Sequence, residues 1–191
     1  MNVHIKILIL NWNKAFLTEQ CLNSLKNLKY DNFSTLVIDN ASTDNSVSMI
    51  RNKFPDVELL VLDKNYGFAN GYNLAIQYLK KKYNDFVLIL NNDTIVDPNL
   101  LNELTNELEK YGKSNFYCPI IHYLDNQDII WYAGGNVNLR LGQLSHNSIR
   151  EKNIGQFSKT FITDYVTGCC ILTSIKTFED LNGFDNNFNM Y

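Results

Sequence analysis

Phe86-Val-Leu-Ile-Leu90 runs directly into Asn91-Asn92-Asp93-Thr94, and the reading of this junction decides the fold. Unbroken apolar residues without polar alternation mark a strand buried on both faces, as in a parallel sheet covered by helices. The run stops abruptly in two amides and a carboxylate. Asp97-Pro98 follows, an N-cap residue and a proline at the first helical position. A helix is therefore expected from Asp97, with Leu101, Leu104, Leu108 and Tyr111 on one stripe. A carboxylate at the carboxyl end of a central strand stands where open α/β sheets hold their ligands. Taken alone, Asn-Asn-Asp is equally a polar turn leaving a core strand.

Working outward, strand and helix alternate through the first 111 or so residues. Residues 3–10 read as a strand ending in Asn11-Trp12-Asn13, followed by a helix with Leu17, Cys21, Leu25 and Leu28 on one face. Residues 34–39 read as a second strand ending in Asp39-Asn40. The polar turn Ala41-Ser-Thr-Asp44-Asn-Ser46 then caps a helix whose inward face carries Val47, Ile50 and Phe54, and Pro55 ends it. Residues 57–62 form a third strand, and Asn65-Tyr-Gly67-Phe-Ala-Asn70-Gly71-Tyr-Asn73 leads into a helix reaching about Tyr83. This alternation implies a mostly parallel sheet with helices on both sides. Three of the four strands then end in a polar or acidic cluster on one sheet edge, which is the purely physical argument for a ligand site.

The second half reads differently. Residues 115–123 and 129–132 look like short strands, and Gly134-Gly135 and Gly142 punctuate residues 137–144 as turns would. Residues 145–160 are polar and aperiodic, hence a loop. Residues 161–173 read as a longer strand interrupted by Gly168. Ser174 caps a short helix reaching Leu181, and Asn182-Gly183-Phe184-Asp185 is a turn. With no linker and no internal repeat, the expectation is one α/β domain over residues 1–191, its halves being 1–111 and 112–191.

The bulk numbers bound the function. With 45% hydrophobic and 19% charged residues, the 191-residue chain is globular and long enough to bury a core. A net charge of −3 without a basic run argues against nucleic acid as a partner. Cys21, Cys118, Cys169 and Cys170 lack metal-site spacing, and the adjacent pair lies in an apolar run, so reduced thiols in a cytoplasmic setting are expected. The apolar segment 5–10 is too short for a signal peptide. No run approaches the roughly 20 apolar residues of a membrane span, which leaves room for peripheral contact at the inner face of the cell membrane.

Certain residues could carry chemistry. Asp39 precedes a turn in which Ser42, Thr43 or Asp44 must cap a helix, so its own carboxylate is free to accept a ring N–H such as uracil or thymine presents. Gly67 and Gly71 lack the dinucleotide spacing; they let the backbone approach a ligand or take positive φ. Asp93 is the candidate metal ligand, a hard oxygen donor suited to Mg²⁺ or Mn²⁺ whose shell a substrate's phosphates would complete. Of the histidines, His4 reads as structural, and His146, in a loop, could supply a further metal or phosphate contact.

Together, Ile9-Leu-Asn11-Trp12-Asn13, Val37-Ile38-Asp39-Asn40-Ala41-Ser42-Thr43-Asp44, the Asn65 to Asn73 stretch and Leu90-Asn91-Asn92-Asp93 resemble the family 2 glycosyltransferases, in their rhamnosyltransferase-like branch. Val166-Thr167-Gly168-Cys-Cys-Ile-Leu172 and Leu181-Asn182-Gly183-Phe184-Asp185 fit the acceptor half of that family, so the resemblance covers nearly the whole chain. It implies a GT-A fold, a nucleotide-diphosphate-sugar donor (UDP- or dTDP-sugar), Mg²⁺ or Mn²⁺, and a saccharide or lipid-linked acceptor in cell-surface polysaccharide synthesis. Residues 1–111 would then be the nucleotide-sugar-binding half and 112–191 the acceptor side. Asp39 would hold the base and Asp93 the metal. Asn11, Trp12, Asn13, Asn65, Gly67, Asn70, Asn91 and Asn92 would line the donor site, with Asn91 in place of the family's usual first Asp. Gly168 and Asp185 would lie on the acceptor side.

One departure matters most. In the family a Glu-Asp pair follows the Gly-Phe-Asp motif, and its Asp is the usual base of inverting transfer. This chain stops at Tyr191, about where that pair should begin. The expectation is a fragment that keeps donor and metal sites and lacks the base; robust sugar transfer by it would contradict this. Two other readings remain: a sugar-phosphate nucleotidyltransferase, which would usually show a Gly-rich basic loop where Asn11-Trp12-Asn13-Lys14 stands, and a non-catalytic nucleotide-sugar-binding module.

Overall fold

In a computed structural model, residues 2–80 and 86–187 are described. The strands and helices alternate as β1 (Ile5–Asn11), α1 (Ala15–Leu25), β2 (Phe33–Asp39), α2 (Ser46–Lys53), β3 (Glu58–Val61), α3 (Gly67–Lys80), β4 (Phe86–Asn91) and α4 (Leu100–Tyr111). There follow β5 (Ile121–Tyr123), β6 (Asn126–Tyr132), β7 (Gly135–Asn138), β8 (Gln143–His146), β9 (Cys170–Ser174) and α5 (Ile175–Asp180). The main sheet has the order β3-β2-β1-β4-β9. Its first four strands are parallel and β9 runs antiparallel to β4. β5–β6 and β7–β8 are separate antiparallel ribbons.

The apolar runs are continuous because both sheet faces are covered. Ile5, Ile7, Ile9, Val37, Leu88 and Leu90 pack against Cys21 and Leu25 of α1, Ile50 of α2, and Leu101 and Leu108 of α4. Leu8, Leu36, Ile38, Val87 and Ile89 face the other way, against Tyr72, Ala75 and Leu79 of α3 and Phe178 of α5. Residue alternation along each strand thus serves two cores at once.

Several local expectations need correction. α1 buries Thr18, Cys21, Leu22 and Leu25; Leu17 is only half-buried, because the inward position goes to Thr18, whose hydroxyl is bonded inside. In α2, Met49 joins Ile50 inside, while Val47 is half-buried. α4 starts at Leu100 with Asn99 as N-cap, since Asp97 spends its carboxylate on an Asx turn to Asn99 N (2.7 Å). Tyr111, at the last turn of α4, is 49% exposed. The strand expected over 161–173 shortens to β9, because its ladder with β4 begins only at Cys170. Of residues 115–123, only β5 is a strand, and Tyr117 alone bridges Leu172. His146 ends β8 instead of lying in a loop. The expected end of the third helix near Tyr83, and Tyr191, fall outside the described residues. Ser174 caps α5 as expected, its hydroxyl accepting Thr177 N (2.9 Å).

Candidate functional site

The register brings the polar strand ends together. Asn11 pairs with Asp39 across β1–β2, and Leu10 with Asn91 across β1–β4. Asn11 is the hub of this edge. It is fully buried, and its Nδ2 donates to Asp39 Oδ2 (2.8 Å) and to Ser42 Oγ (3.1 Å). Its Oδ1 accepts from Thr18 Oγ1 (2.7 Å) and Asn92 Nδ2 (3.3 Å). Asp39 is equally buried, and its Oδ1 accepts Ser42 N (2.8 Å). In this conformation Asn11 and Asp39, both expected at the donor site, bond to each other and to Ser42. A buried carboxylate needs donors, and Asn11 and Ser42 supply them.

That loop presents the accessible groups. Trp12 is 52% exposed. Asn13 sits in the left-handed region (φ 52°), which a non-glycine residue holds only where its surroundings fix it. The surroundings do so: Asn13 N donates to Ser42 Oγ (2.9 Å), and Asn13 Oδ1 accepts Thr43 N (2.7 Å) and Asp44 N (3.2 Å). The N-cap of α2 is Asn45, without a side-chain cap bond, in place of the expected Ser42, Thr43 or Asp44; Asp44 precedes it and its Oδ1 accepts Ser46 N (2.9 Å) in an Asx turn. Burial opposes ionisation of Asp44, yet the bonds from Ser46 and Ala15 outweigh it and hold its pKa below the ordinary carboxylate value.

Asn40, which the sequence offered only as part of a strand end, ties β2 to the start of α3. Its Nδ2 donates to Asn65 Oδ1 (2.8 Å) and Gly67 O (3.2 Å), and its Oδ1 accepts Tyr66 N (2.9 Å). Gly67 takes φ 74°, a conformation that favours glycine. Gly71 serves packing: a Cβ there would stand 2.8 Å from the Leu10 side chain, so α3 lies close on β1. Asn65 is exposed and Asn70 half-buried on the same edge.

Asp93 stands on a turn pinned from several sides. Asn91 N donates to Cys169 O (2.9 Å), Thr94 Oγ1 to Asn91 O (2.7 Å), and Asn92 Nδ2 to Thr18 Oγ1 (3.0 Å). Asp93 itself is exposed. It opens into a cleft of about 760 Å³ whose walls include Thr94, His122, Gln127, Trp131 and Cys169. Its charge is felt there: burial first, then Asp93, push the Cys169 thiol up to about 12. Burial chiefly, with Asp93 adding, puts Cys21 at about 11. Gly168 lies beside this wall, at the entry to β9. A second concavity of about 810 Å³ belongs to the β7–β8 ribbon and holds none of the strand-end residues.

The other expected positions have partners of their own. His146 Nδ1 is bonded to the Tyr165 hydroxyl (2.9 Å) within a ring cluster of Trp131, Tyr132 and Tyr165. Asp185 Oδ1 accepts Asn187 N (2.9 Å), and its neighbour Phe184 is docked on α3 through Asn73, whose Nδ2 donates to Phe184 O (2.8 Å). Among the described residues no group of three His, Cys, Asp or Glu side chains gathers to hold a metal ion. Nor is any described helix long and apolar enough to cross a membrane. Sequence reasoning missed Thr18 and the bracketing by Ser42; in the sequence Thr18 is one polar residue in an otherwise apolar helix face.

Comparison with known proteins gives this geometry a context. The sequence model described as Glycosyl transferase family 2 matches residues 6–181. A curated relative, N-acetylglucosaminyl-diphospho-decaprenol L-rhamnosyltransferase of Mycobacterium tuberculosis, is 22% identical over 177 residues, 83% of this chain and 57% of the relative. The chain thus spans little more than half of that protein. A mannosyltransferase of Pyrobaculum calidifontis, solved with GDP-Man and Mn²⁺, superposes with a TM-score of 0.63 at 19% identity, covering 97% of this chain and 48% of that one. GalNAc-T7, solved with UDP, GalNAc and Mn²⁺, gives a TM-score of 0.73 at 13% identity, covering 99% and 38%. The fold is the GT-A arrangement that the sequence resemblance implied.

Proposed function

We propose that this chain, which belongs to glycosyl transferase family 2, moves a sugar with inversion from a nucleotide-diphosphate-sugar to a saccharide or lipid-linked acceptor, using a divalent cation. The observation that carries this reading is the convergence of Asn11, Asp39 and the Asn91–Asp93 turn on one sheet edge, with Asp93 open to a cleft. In α/β sheets that edge is the ligand edge.

The nucleotide lies along it. Trp12 and the Asn13–Ser42 loop receive the base, and Asp39 holds that loop rigid from beneath. Asn65, Gly67 and Asn70, at the start of α3, face the ribose and phosphates, where backbone N–H groups favour an anion. Asn91 and Asn92 flank the diphosphate. Asp93 fits Mg²⁺ or Mn²⁺ as a single exposed oxygen donor, provided the substrate's phosphates and water supply the rest of the shell. When bound, the cation neutralises the charge of the departing diphosphate. The acceptor enters the cleft from the side of Gly168 and Trp131. Inverting transfer also needs a group to take the acceptor's proton; Asp39 and Asp93 have other roles here, and Asp185 is engaged with Asn187.

The relative's name, which pairs rhamnosyl transfer with a lipid diphosphate, supports a lipid-linked acceptor; to this we add a UDP- or dTDP-sugar donor and a cell-surface glycan product made at the cytoplasmic face of a membrane. The bound molecules named for the two solved structures support nucleotide-sugar and Mn²⁺ binding. The test is calorimetric titration with UDP-, dTDP- and GDP-sugars and with nucleoside triphosphates, with and without Mn²⁺, followed by a transfer assay. Mn²⁺-dependent binding of a nucleotide-sugar is the expected result. Preference for a nucleoside triphosphate contradicts the proposal and favours nucleotidyl transfer.

A further inference from the structure

Beneath the sheet edge a chain of side-chain hydrogen bonds joins the loop assigned to the base with the turn assigned to the metal. It begins at Asp39, passes through Asn11, and reaches Thr18 at 2.7 Å from Asn11 Oδ1. Thr18 is fully buried on α1. Its one hydroxyl proton is committed to Asn11, and its oxygen accepts Asn92 Nδ2 (3.0 Å), which also reaches Asn11 Oδ1 (3.3 Å). A buried threonine is commonly no more than a satisfied core residue. What distinguishes this one is its partner. Asn92 is the residue immediately before Asp93; its amide is turned inward to Thr18 and Asn11 while Asp93 is exposed.

We infer that Thr18 is a positioning residue. It holds the Asn92–Asp93 turn against β1, so that the placing of Asp93 depends on the same Asn11–Asp39 bracket that supports the base loop. Binding of the nucleotide and of the divalent cation are thereby coupled through Thr18. This rests on the nucleotide-sugar reading above. Coupling of this kind is reciprocal: the cation tightens nucleotide binding by the factor by which the nucleotide tightens the cation.

The test uses Mn²⁺ with UDP, dTDP and GDP as probes, read by calorimetry on the wild type and on Thr18→Val, Thr18→Ser, Asn92→Ala, Asp93→Ala and the Thr18→Val/Asn92→Ala double variant. The quantity is the factor by which saturating Mn²⁺ tightens nucleotide binding. Thr18→Val, nearly isosteric but without the hydroxyl, is expected to cut that factor about fivefold or more, at the lower end of ordinary allosteric couplings. Metal-free nucleotide affinity should stay within about twofold, and Thr18→Ser should keep the wild-type factor. Because Thr18 acts through Asn92, the double variant should be no worse than the more affected single variant. If Thr18→Val fails to fold, as circular dichroism would show, Thr18→Ala carries the test with the same expected loss. Full Mn²⁺ enhancement in Thr18→Val, an equal loss with and without metal, or multiplicative effects in the double variant overturns the inference. Enhancement lost in Asp93→Ala yet retained in Thr18→Val and Asn92→Ala overturns it alone, leaving the functional reading intact. A wild type that binds none of the nucleotides with Mn²⁺ overturns both.

Discussion

Asp93 and Asp39 are both carboxylates on the same sheet edge, yet their surroundings assign them different work. Asp93 is exposed on a pinned turn, so Asp93→Ala should leave the melting temperature within about a degree, as surface changes usually do. Its cost should fall on Mn²⁺-dependent nucleotide binding, read by titration. Asp39 is buried, its oxygens accepting from Asn11 and Ser42. Asp39→Asn removes charge-assisted bonds and should cost about 1.5–3 kcal/mol of stability, measured by urea unfolding. A change confined to base preference, with stability unaltered, would show instead that Asp39 is a ligand contact. The sequence places both residues at strand ends, and that much was legible. It could not separate framework from contact, because the bonds that join β1, β2 and α1, from Asn11 to Asp39 and from Thr18 to Asn11, form only in the fold.

The elements behave as the hydrophobic pattern dictates wherever a partner strand exists. β4 was readable from its apolar run alone, since it lies between β1 and β9 with helices on both faces. Leu88, fully buried there, should cost about 2–5 kcal/mol on replacement by Ala, read as a lowered urea midpoint with unchanged slope. Residues 161–169 illustrate the opposite case. Phe161, Ile162, Tyr165 and Val166 have strand-forming side chains, but strand propensity expresses pairing and burial. Here the segment is held by side-chain bonds, Thr163 Oγ1 to Gly135 O (2.9 Å) and Tyr132 OH to Tyr165 O (2.6 Å), and Ile162 is 99% exposed. At the β3–α3 junction the glycine reading held for Gly67. Gly67→Ala forces a side chain into a left-handed conformation and should cost about 1–2 kcal/mol, measured by thermal unfolding. Gly71, read like Gly67 as a place for ligand approach or positive φ, instead lies close on Leu10.

Across the whole molecule, the parallel sheet turns separate sequence motifs into one continuous ledge. The Asn13–Ser42 loop stands over β2 and β1, and the Asn91–Asp93 turn over β4. The cleft extends toward β9 and the β5–β6 ribbon. The four thiols are spread through this body, all free. Burial raises Cys21 to about 11 and Cys118 and Cys169 to about 12, from an ordinary value of 9.0. Above pH 9 the unfolded chain therefore sheds thiol protons that the folded chain keeps, so stability should fall from about pH 9 up to 11–12 and be indifferent to these groups below pH 9. Urea unfolding at successive pH values checks the sign, and replacing Cys21 and Cys169 by Ala should flatten the alkaline limb. The family match covers residues 6–181, so the ledge and the cleft belong to the part of the chain shared with other glycosyltransferases. The most direct measurement is an anomalous-scattering map from crystals grown with UDP and Mn²⁺. A manganese peak bonded to an Asp93 carboxylate oxygen at about 2 Å, with the diphosphate on its far side, is the predicted result. A bound nucleotide whose manganese lies away from Asp93, or no manganese at all beside an ordered diphosphate, would contradict the site as assigned.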